Sequence, residues 1–530
     1  MSIEIDENFT RDIFVKKLKE STEEGRNLIP IVDFIFSDYG SDLFDRINRD
    51  FRSPFGPKAY DRRKLYLAIS HASFYEIDHD LKKVSRLCRN DKIMEQLFGD
   101  KTPCNVTFDN FLNQCNPHIL KTLSLCTVME LNDLQTLDFS RIYTDSTDAK
   151  INGSAHYKVS QKEIDGLELM NELNLLHNRS TKKIKNNRKK LIKYRDKCED
   201  KDEIEIINHV LKNFKLYDKR LYDKLDTLKE YLKEVPDGYI SVMFPEARFI
   251  KTKRGKYDFA LLVQETMLKN GIILNSLVQS EPNDSKALEE IILDLKDTFK
   301  TLIDLQVMYG ERSNYKEIYD ALNYAIHVLD SGYFTDVNME KAEYYGLNIL
   351  IMPRSIAKKY NDKLKDRIPE DSEEFKKKFK KITLREMQRI FNGYICPYGI
   401  NSKLIDIIPV NSKYNRLRQH LDEKYHEFRY VFETLCPLDC PYADICSKEH
   451  FEIVMTKLKN DMLNKFTVDE LLEIYSERFG ANEQIFGHYK RDKGMLKLAG
   501  SNKKAAQNHL YIKMINYNLH RKEELKGTAL

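Results

Sequence analysis

The sequence has few cysteines and no long apolar runs. Nine cysteines in 530 residues are too few for a disulfide scaffold, which is typical of a reducing compartment. No stretch approaches the roughly 18 apolar residues that a membrane helix needs. The first twenty residues also lack the apolar segment of a secretion signal. We therefore expect a cytoplasmic protein that neither enters nor crosses a membrane.

The composition is that of a folded protein with a heavily charged surface. Hydrophobic residues make up 41% and charged residues 32% of the chain, which excludes a disordered chain. A chain of this length is expected to form two to four structural units. The net charge of +4 says little about partners, because phosphate backbones are bound by local clusters of lysine and arginine.

The first 134 residues show helical periodicity, with apolar residues recurring at three-to-four spacing. Clear examples are YDRRKLYLAISHASFYEI at 60–77 and TFDNFLNQCNPHILKTLSLCTVMEL at 107–131. Thr107 is the expected N-cap of the second helix. We predict an N-terminal helical DNA-binding domain over 1–134. Either a plain bundle or a bundle that contains a helix-turn-helix would produce this pattern.

Two polar segments interrupt the rest of the chain. Residues 161–235 are predicted to form two long antiparallel helices, and the stretch HNRSTKKIKNNRKKLIKYRDK within them is strongly basic. Such a run is either a solvated helix face or a surface that binds nucleic acid. Residues 359–465 form a second insertion, which contains four of the nine cysteines.

Between and around these insertions, the pattern predicts an α/β sheet. The segment 135–147 supplies one strand, and the next two are KYDFALLVQETM and GIILNSLVQS. An amphipathic helix, a strand in YAIHVLDSGY, a helix ending at Gly346 and a strand in LNILIMP follow. Three strands, a helix and two further strands separated by a helix suit a ribonuclease-H-like mixed sheet. We assign 135–160, 236–358 and 466–530 to this domain.

Two aspartates stand where such a sheet would expose carboxylates. Asp145 in IYTDSTDAKINGS and Asp330 in HVLDSGYFTD each follow an apolar strand and precede a small hydroxylated residue and a turn. Strands that fix such side chains at a sheet edge leave them accessible to substrate. Hard oxygen ligands suit Mg²⁺ or Mn²⁺, and two such ions support phosphodiester chemistry. Taken singly, each aspartate also fits an ordinary turn or cap.

A third acidic ligand is predicted in YSERFGANEQIFGHYKRDKG. Glu483 and Lys490 are seven residues apart, so both project from one face of a helix. Glu483 would bind metal, while Lys490 and Arg491 would contact DNA phosphate. The alternative is that Glu483 is simply exposed to solvent.

From about Phe51 to Arg521, the sequence resembles the DDE transposases of bacterial insertion sequences. YTDSTDAKINGS resembles their first-aspartate motif, and VLDSGYFTDVNMEKAEYYGLNILIMP resembles their second. The array of Tyr475, Arg478, Glu483 and Lys490 resembles their tyrosine, arginine, glutamate and lysine signature. Four residues separate Arg478 from Glu483, where the signature usually has three, so Glu477 is kept as an alternative third ligand.

The resemblance implies a transposase that uses two Mg²⁺ or Mn²⁺ ions, held by Asp145, Asp330 and Glu483. Its substrates would be terminal inverted-repeat DNA and target DNA, bound by a homodimer on the bacterial nucleoid. It would cleave at element ends and join the freed 3′-hydroxyl to target DNA. Two alternatives stay open: a catalytically silent relative that only binds element ends, and a nuclease that hydrolyses without joining.

Four cysteines near turns form a separate candidate metal site. Cys396 lies in YICPYG, and Cys436, Cys440 and Cys446 lie in CPLDCPYADIC. Four thiolates form a closed structural Zn²⁺ site, although this spacing is looser than the usual knuckle. Zinc bound here would hold the second insertion together. The alternative is four unligated cysteines.

Overall fold

The structure is a computed structural model that describes residues 10–50, 60–132, 137–151, 158–178, 180–235, 238–251, 257–280, 287–309, 318, 321, 324–351, 372–378, 388–390, 393–396, 399–446, 450–478, 481 and 497–528. No helix within these ranges is both long enough and apolar enough to cross a membrane.

Nine helices occupy the described residues between 10 and 132. They are α1 (Arg11–Lys19), α2 (Glu23–Arg26), α3 (Ile29–Ile35), α4 (Asp38–Asp50), α5 (Arg62–Phe74), α6 (Leu81–Asn90), α7 (Lys92–Phe98), α8 (Asn105–Gln114) and α9 (Pro117–Asn132). The single helix predicted over 107–131 is wrong, because Pro117 begins a new helix and a proline cannot continue the preceding one. Cys104, rather than Thr107, is the N-cap of α8.

In the described residues beyond 137, fourteen strands, twelve α-helices and three short 3₁₀ helices have complete bounds. The strands are β1 (Arg141–Ile151), β2 (Lys158–Val159), β3 (Ile240–Ser241), β4 (Arg248–Lys251), β5 (Tyr257–Leu268), β6 (Ile273–Gln279), β7 (Ile326–Leu329), β8 (Ile349–Ile351), β9 (Gln388–Ile390), β10 (Gly393–Ile395), β11 (Asn401–Pro409), β12 (Glu427–Thr434), β13 (His450–Thr456) and β14 (Lys497–Leu498). The helices are α10 (Gln161–Glu172), α11 (Thr181–Arg195), α12 (Lys201–Lys212), α13 (Lys219–Tyr222), α14 (Leu225–Lys233), α15 (Leu288–Tyr309), α16 (Asp336–Tyr344), α17 (Ser372–Lys378), α18 (Lys413–Leu417), α19 (Lys457–Leu463), α20 (Val468–Arg478) and α21 (Lys503–Thr528).

The largest sheet is mixed, which confirms the predicted α/β class. Its order is β4-β5-β1-β7-β8, with β6 also paired to β5 and β14 also paired to β1. β5 is antiparallel to both β1 and β6, whereas β7 is parallel to both β1 and β8. The predicted succession of three strands, a helix and two strands separated by a helix is present as β1, β5, β6, α15, β7, α16 and β8.

One large core joins the N-terminal helices to this sheet. Buried apolar residues of the first nine helices, of the sheet, of α15 and of α21 belong to a single cluster. Helix α21 packs against α5, α8, α9 and β6, and its Leu510, Ile512 and Ile515 are fully buried. The end of the chain therefore holds the N-terminal helices and the sheet together.

A buried ionic cluster strengthens the same junction. Asp78, just after α5, is completely buried, and its Oδ2 lies 2.6 Å from Nζ of Lys513 and 3.1 Å from Nε2 of His509. Nδ1 of His509 accepts a hydrogen bond from the backbone N–H of Ala499, so Nε2 carries the proton of the neutral ring. Burial opposes ionisation of Asp78, but Lys513 and His509 outweigh it and lower the pKa of this carboxyl group.

Helices α10 to α14, in the segment predicted to be the first insertion, share an apolar core of their own with β2 and β3. The prediction of two long helices is wrong, because α10 to α14 are shorter and are separated by turns and caps. Asn174 adopts a positive φ of 55° after α10, and the Asp200 and Asp218 side chains cap α12 and α13. Gly166 allows close packing, since a Cβ there would lie 2.6 Å from the Tyr217 ring.

The described part of the second insertion contains an antiparallel sheet with the order β13-β12-β11-β10-β9. Its small core is mostly aromatic. The rings of Phe432 and Phe451 stack with their centroids 5.2 Å apart, and Tyr394 meets both rings edge-on. Its buried residues form a cluster of their own, and the partly buried Met455 packs against both this core and the large one.

Candidate functional site

Two aspartates are brought side by side by the pairing of β1 with β7. These parallel strands pair Thr144 with Leu329, so Asp145 and Asp330 follow at the same level of the sheet. Asp145 lies inside its strand rather than at the end, because β1 continues to Ile151 along β5. However, β7 ends at Leu329. It therefore does not cover the edge of β1 beside Asp145.

The backbone holds one oxygen of each aspartate. Oδ1 of Asp145 accepts a hydrogen bond from the N–H of Ser146 at 2.8 Å. Oδ1 of Asp330 accepts one from the N–H of Ser331 at 2.6 Å, where Asp330 caps a short 3₁₀ turn. Asp330 is therefore a capping residue, as one interpretation of the sequence predicted. The cap accounts for one hydrogen bond of the carboxylate, but it does not explain why Asp145 and Asp330 lie close together.

Both carboxylates meet the guanidinium of Arg478, the last residue of α20. Its Nη2 lies 3.2 Å from Oδ2 of Asp145 and 3.8 Å from Oδ1 of Asp330, so these two oxygens are within about 7 Å of each other. The Arg478 side chain is only 4% exposed, and charges interact strongly where water is excluded. Tyr475, one turn earlier, accepts a hydrogen bond from Nη1 at 3.2 Å.

Glu477, the alternative third ligand, is engaged by three donors. Its Oε2 accepts hydrogen bonds from Arg141 at 2.5 Å and from the Tyr143 hydroxyl at 2.7 Å, and its Oε1 accepts one from Lys269 at 2.6 Å. Burial opposes ionisation of Glu477, but these donors outweigh it and lower its pKa. Glu477 therefore clamps α20 to β1 and to the turn after β5, next to the residue that reaches the aspartates.

The other predicted site residues divide into two groups. Tyr475 and Arg478 are described and lie at the aspartate pair. Glu483, Lys490 and Arg491 fall within 482–496, outside the described residues. No family model and no curated protein matches this chain. The function of the site must therefore be inferred from its own side chains.

A third acidic residue, not predicted from the sequence, lies beside Asp145. Glu265 of β5 is the antiparallel partner of Asp145, so the two side chains share one face of the sheet. Glu265 is completely buried, and its charge contributes, after burial, to the raised pKa of Tyr517 on α21. The sequence does show a glutamate within the apolar strand YDFALLVQETML. Only the strand register reveals that this glutamate lies opposite Asp145.

The donors at this site suit a hard divalent cation. Two carboxylates that already share one positive group provide the oxygen ligands that Mg²⁺ and Mn²⁺ prefer. Within the described ranges, no three His, Cys, Asp or Glu residues are grouped as a metal site, which holds for the aspartates with Glu265 and for the four cysteines alike. A third ligand from 482–496, where Glu483 lies, would complete the set.

None of the four cysteines of the predicted second insertion forms a disulfide with a described residue, and all four are half-buried. Cys396, Cys440 and Cys446 border the small aromatic core, whereas Cys436 does not. The Cys396 sulfur accepts a hydrogen bond from the backbone N–H of Ile400 at 3.4 Å, after a turn in which Gly399 has a φ of +84°. Zinc binding by these cysteines stays a prediction.

Proposed function

We propose that this protein is a DDE-class DNA transposase that cleaves at element ends and joins the 3′-hydroxyl to target DNA. The single observation that carries the proposal is the meeting of Asp145 and Asp330 at the buried guanidinium of Arg478. These aspartates are 185 residues apart in the sequence. Two carboxylates repel each other at a partly buried site unless a cation compensates them.

The sheet supports the proposal through its topology. The strands β6, β5, β1, β7 and β8 lie in that order, with β1 at the centre. The first three are antiparallel and the last three parallel, as expected for a ribonuclease-H-like core. In this arrangement, the two aspartates come from adjacent central strands, where the register places them at one level.

The chain's own residues would perform distinct tasks in this chemistry. Asp145, Asp330 and Glu483 would hold two Mg²⁺ or Mn²⁺ ions. Bound ions of this kind make the attacking oxygen more nucleophilic and stabilise the leaving oxygen. The backbone N–H groups of Ser146 and Ser331 orient the aspartates, and positioning of this kind accounts for much of the catalysis of phosphoryl transfer.

Arg478 would act on the aspartates from within the protein, because its side chain is only 4% exposed. Its charge compensates the aspartates and is held by Tyr475. Lys490 and Arg491 would add phosphate contacts from the neighbouring segment.

The proposed partners are double-stranded element ends and target DNA, bound by a homodimer in the synaptic complex on the bacterial nucleoid. The experiment uses the full chain with duplexes that carry the DNA flanking its coding sequence. With MgCl₂, we expect nicking at one defined phosphodiester and joining of the new 3′ end to a target plasmid, whereas EDTA abolishes both. Cleavage without joining would identify a nuclease. Binding without cleavage would identify a silent relative and contradict the proposal.

A further inference from the structure

Helix α11 of the first insertion carries only positive charge. Its fifteen residues, TKKIKNNRKKLIKYR, include eight lysines and arginines and no acidic residue. Leu191 is its one fully buried side chain among those described. The helix is thus attached to the insertion along a narrow apolar line, and the rest of its surface is polar.

Four of the six exposed lysines of α11 lie on the face opposite Leu191, and the other two lie on its flank. At 3.6 residues per turn, positions 182, 185, 189 and 193 align along the helix, with 183 and 190 beside them. The six exposed lysines that form this lysine face are Lys182, Lys183, Lys185, Lys189, Lys190 and Lys193. From the first to the last, the face is about 16 Å long, which equals the length of about five nucleotides of one DNA strand.

No acidic group in the described structure neutralises the lysine face. None of its six lysines forms an ion pair with a described residue, although α12 beside it is rich in acidic residues. Glu203 of α12 accepts hydrogen bonds from Tyr194 and Cys198, and Glu205 pairs with Lys162. Like charges one helical turn apart repel each other. Binding of a polyanion would therefore reduce the repulsion between these lysines.

A polar cleft opens beside the lysine face. Its volume is about 470 Å³, and it is lined by Asn174, Lys183, Asn186, Lys189 and Lys190, together with two neighbours, none of them acidic. Amide and ammonium groups are donors that commonly contact phosphate oxygens. The cleft therefore adds a concave, cationic region beside the exposed lysines of the helix.

The insertion leaves the sheet on the side where the aspartates lie. The chain leaves β1 at Ile151 on its way to the insertion at 161–235, and Asp330 follows the carboxyl end of the parallel strand β7. Asp145 precedes Ile151 by six residues on β1, or about 20 Å of strand. A duplex whose scissile bond lies at the aspartates can extend toward the base of this insertion.

We infer that α11 follows the phosphate backbone of double-stranded DNA with its lysine face, and so holds DNA beside the cleavage site. This inference rests on the proposed function, because it names the surface through which the insertion would bind the substrate. The contact is with phosphates and carries no base preference. The insertion would then hold the flanking duplex and would not recognise the sequence of the element end.

The test is the salt dependence of DNA binding by the full chain. The probe is a fluorescent duplex of arbitrary sequence, long enough to span both the sheet and the insertion. Each phosphate contact contributes roughly 0.9 to the slope of log K against log salt, so K185Q/K189Q/K193Q should lower the slope by about 2.7. The matched control is K162Q/K229Q/K233Q, which has the same charge change in the same insertion but replaces lysines paired with Glu205, Glu168 and Glu230.

The outcomes separate this inference from the proposed function. If both triple variants change the slope equally, the lysine face is only a solvated surface and the inference is overturned. If the unaltered protein shows no salt-dependent duplex binding, the proposed function fails as well. Tighter, lysine-dependent binding to phosphatidylserine vesicles than to duplex would also overturn the inference. Circular dichroism and thermal unfolding verify that both variants are folded.

Discussion

Arg478 lies with its Nη2 3.2 Å from Oδ2 of Asp145, and the arginine side chain is almost wholly buried. The same nitrogen is 3.8 Å from Asp330. One protein cation thus stands between two acidic residues from different strands. The predictions for the aspartates and for Arg478 follow from this arrangement.

Replacing either aspartate should remove catalysis without unfolding the protein. Asp145→Asn and Asp330→Asn each delete one charged metal ligand, so we expect DNA cleavage to fall by at least about 10²- to 10³-fold. Arg478 keeps one carboxylate partner in each variant, so the loss in unfolding free energy should be about 1–3 kcal/mol. Asp148→Asn is the control, because Asp148 lies on the same strand with its side chain on the other face. Equal loss of cleavage in the control would contradict the site.

Replacing Arg478 should make stability depend on divalent cations. Arg478→Gln leaves the two partly exposed carboxylates without their shared cation, which should cost about 1–3 kcal/mol of unfolding free energy. Millimolar MgCl₂ should restore part of this loss and raise the thermal midpoint more in the variant than in the unaltered protein. Adding Asp145→Asn to the variant should abolish the Mg²⁺ effect. An equal Mg²⁺ response in all three proteins would show that no cation binds between the aspartates.

Glu477 should contribute stability that depends on pH. Its pKa is lowered in the folded protein by Lys269, Tyr143 and Arg141, against the effect of burial. The contribution is therefore fully present above the ordinary glutamate pKa of 4.5 and is lost as the pH falls through the lowered value. Near neutral pH, Glu477→Gln should cost about 1–3 kcal/mol, and the difference should shrink in acid. Glu473→Gln, exposed on the same helix, should show neither effect in urea unfolding across pH.

The buried Asp78 cluster should show strong coupling between its members. Lys513→Met leaves Asp78 buried with only the neutral His509 beside it, and should cost about 3–5 kcal/mol. Adding Asp78→Asn removes the uncompensated charge, so the double variant should be more stable than Lys513→Met alone. A double-mutant cycle by denaturant unfolding measures this coupling. Strictly additive losses would contradict the ion pair.

Zinc binding by the second insertion can be measured directly. If the four cysteines bind zinc, the purified protein should contain it in stoichiometric amount, and Cys440→Ser should lower the content. The same variant should lower the thermal midpoint, because metal binding contributes to folding. Cys198→Ser, in the first insertion, is the matched control. A metal-free protein with the same midpoint would leave the cysteines as unligated side chains.

Much of the element order could be predicted from local patterns. Period-two and period-3.6 spacing located β1, β5, β6, α15, β7, α16 and β8, because each element buries one side of its own segment. The same patterns placed Asp145 and Asp330 beside strands. Local patterns failed at helix boundaries, where Pro117 divides the predicted helix at 107–131 and capping aspartates divide the first insertion.

Contacts between distant segments depended on the tertiary structure. Arg478 and Glu477 are neighbours in the sequence, yet one compensates the aspartates and the other clamps the helix. Glu265 lies opposite Asp145 because of the β1–β5 register. A shift of one residue in this register would turn one of the two side chains to the other face of the sheet. A residue's own neighbours determine whether it is helical or extended. Which charges meet depends on how whole strands and helices pack, and no local spacing encodes that.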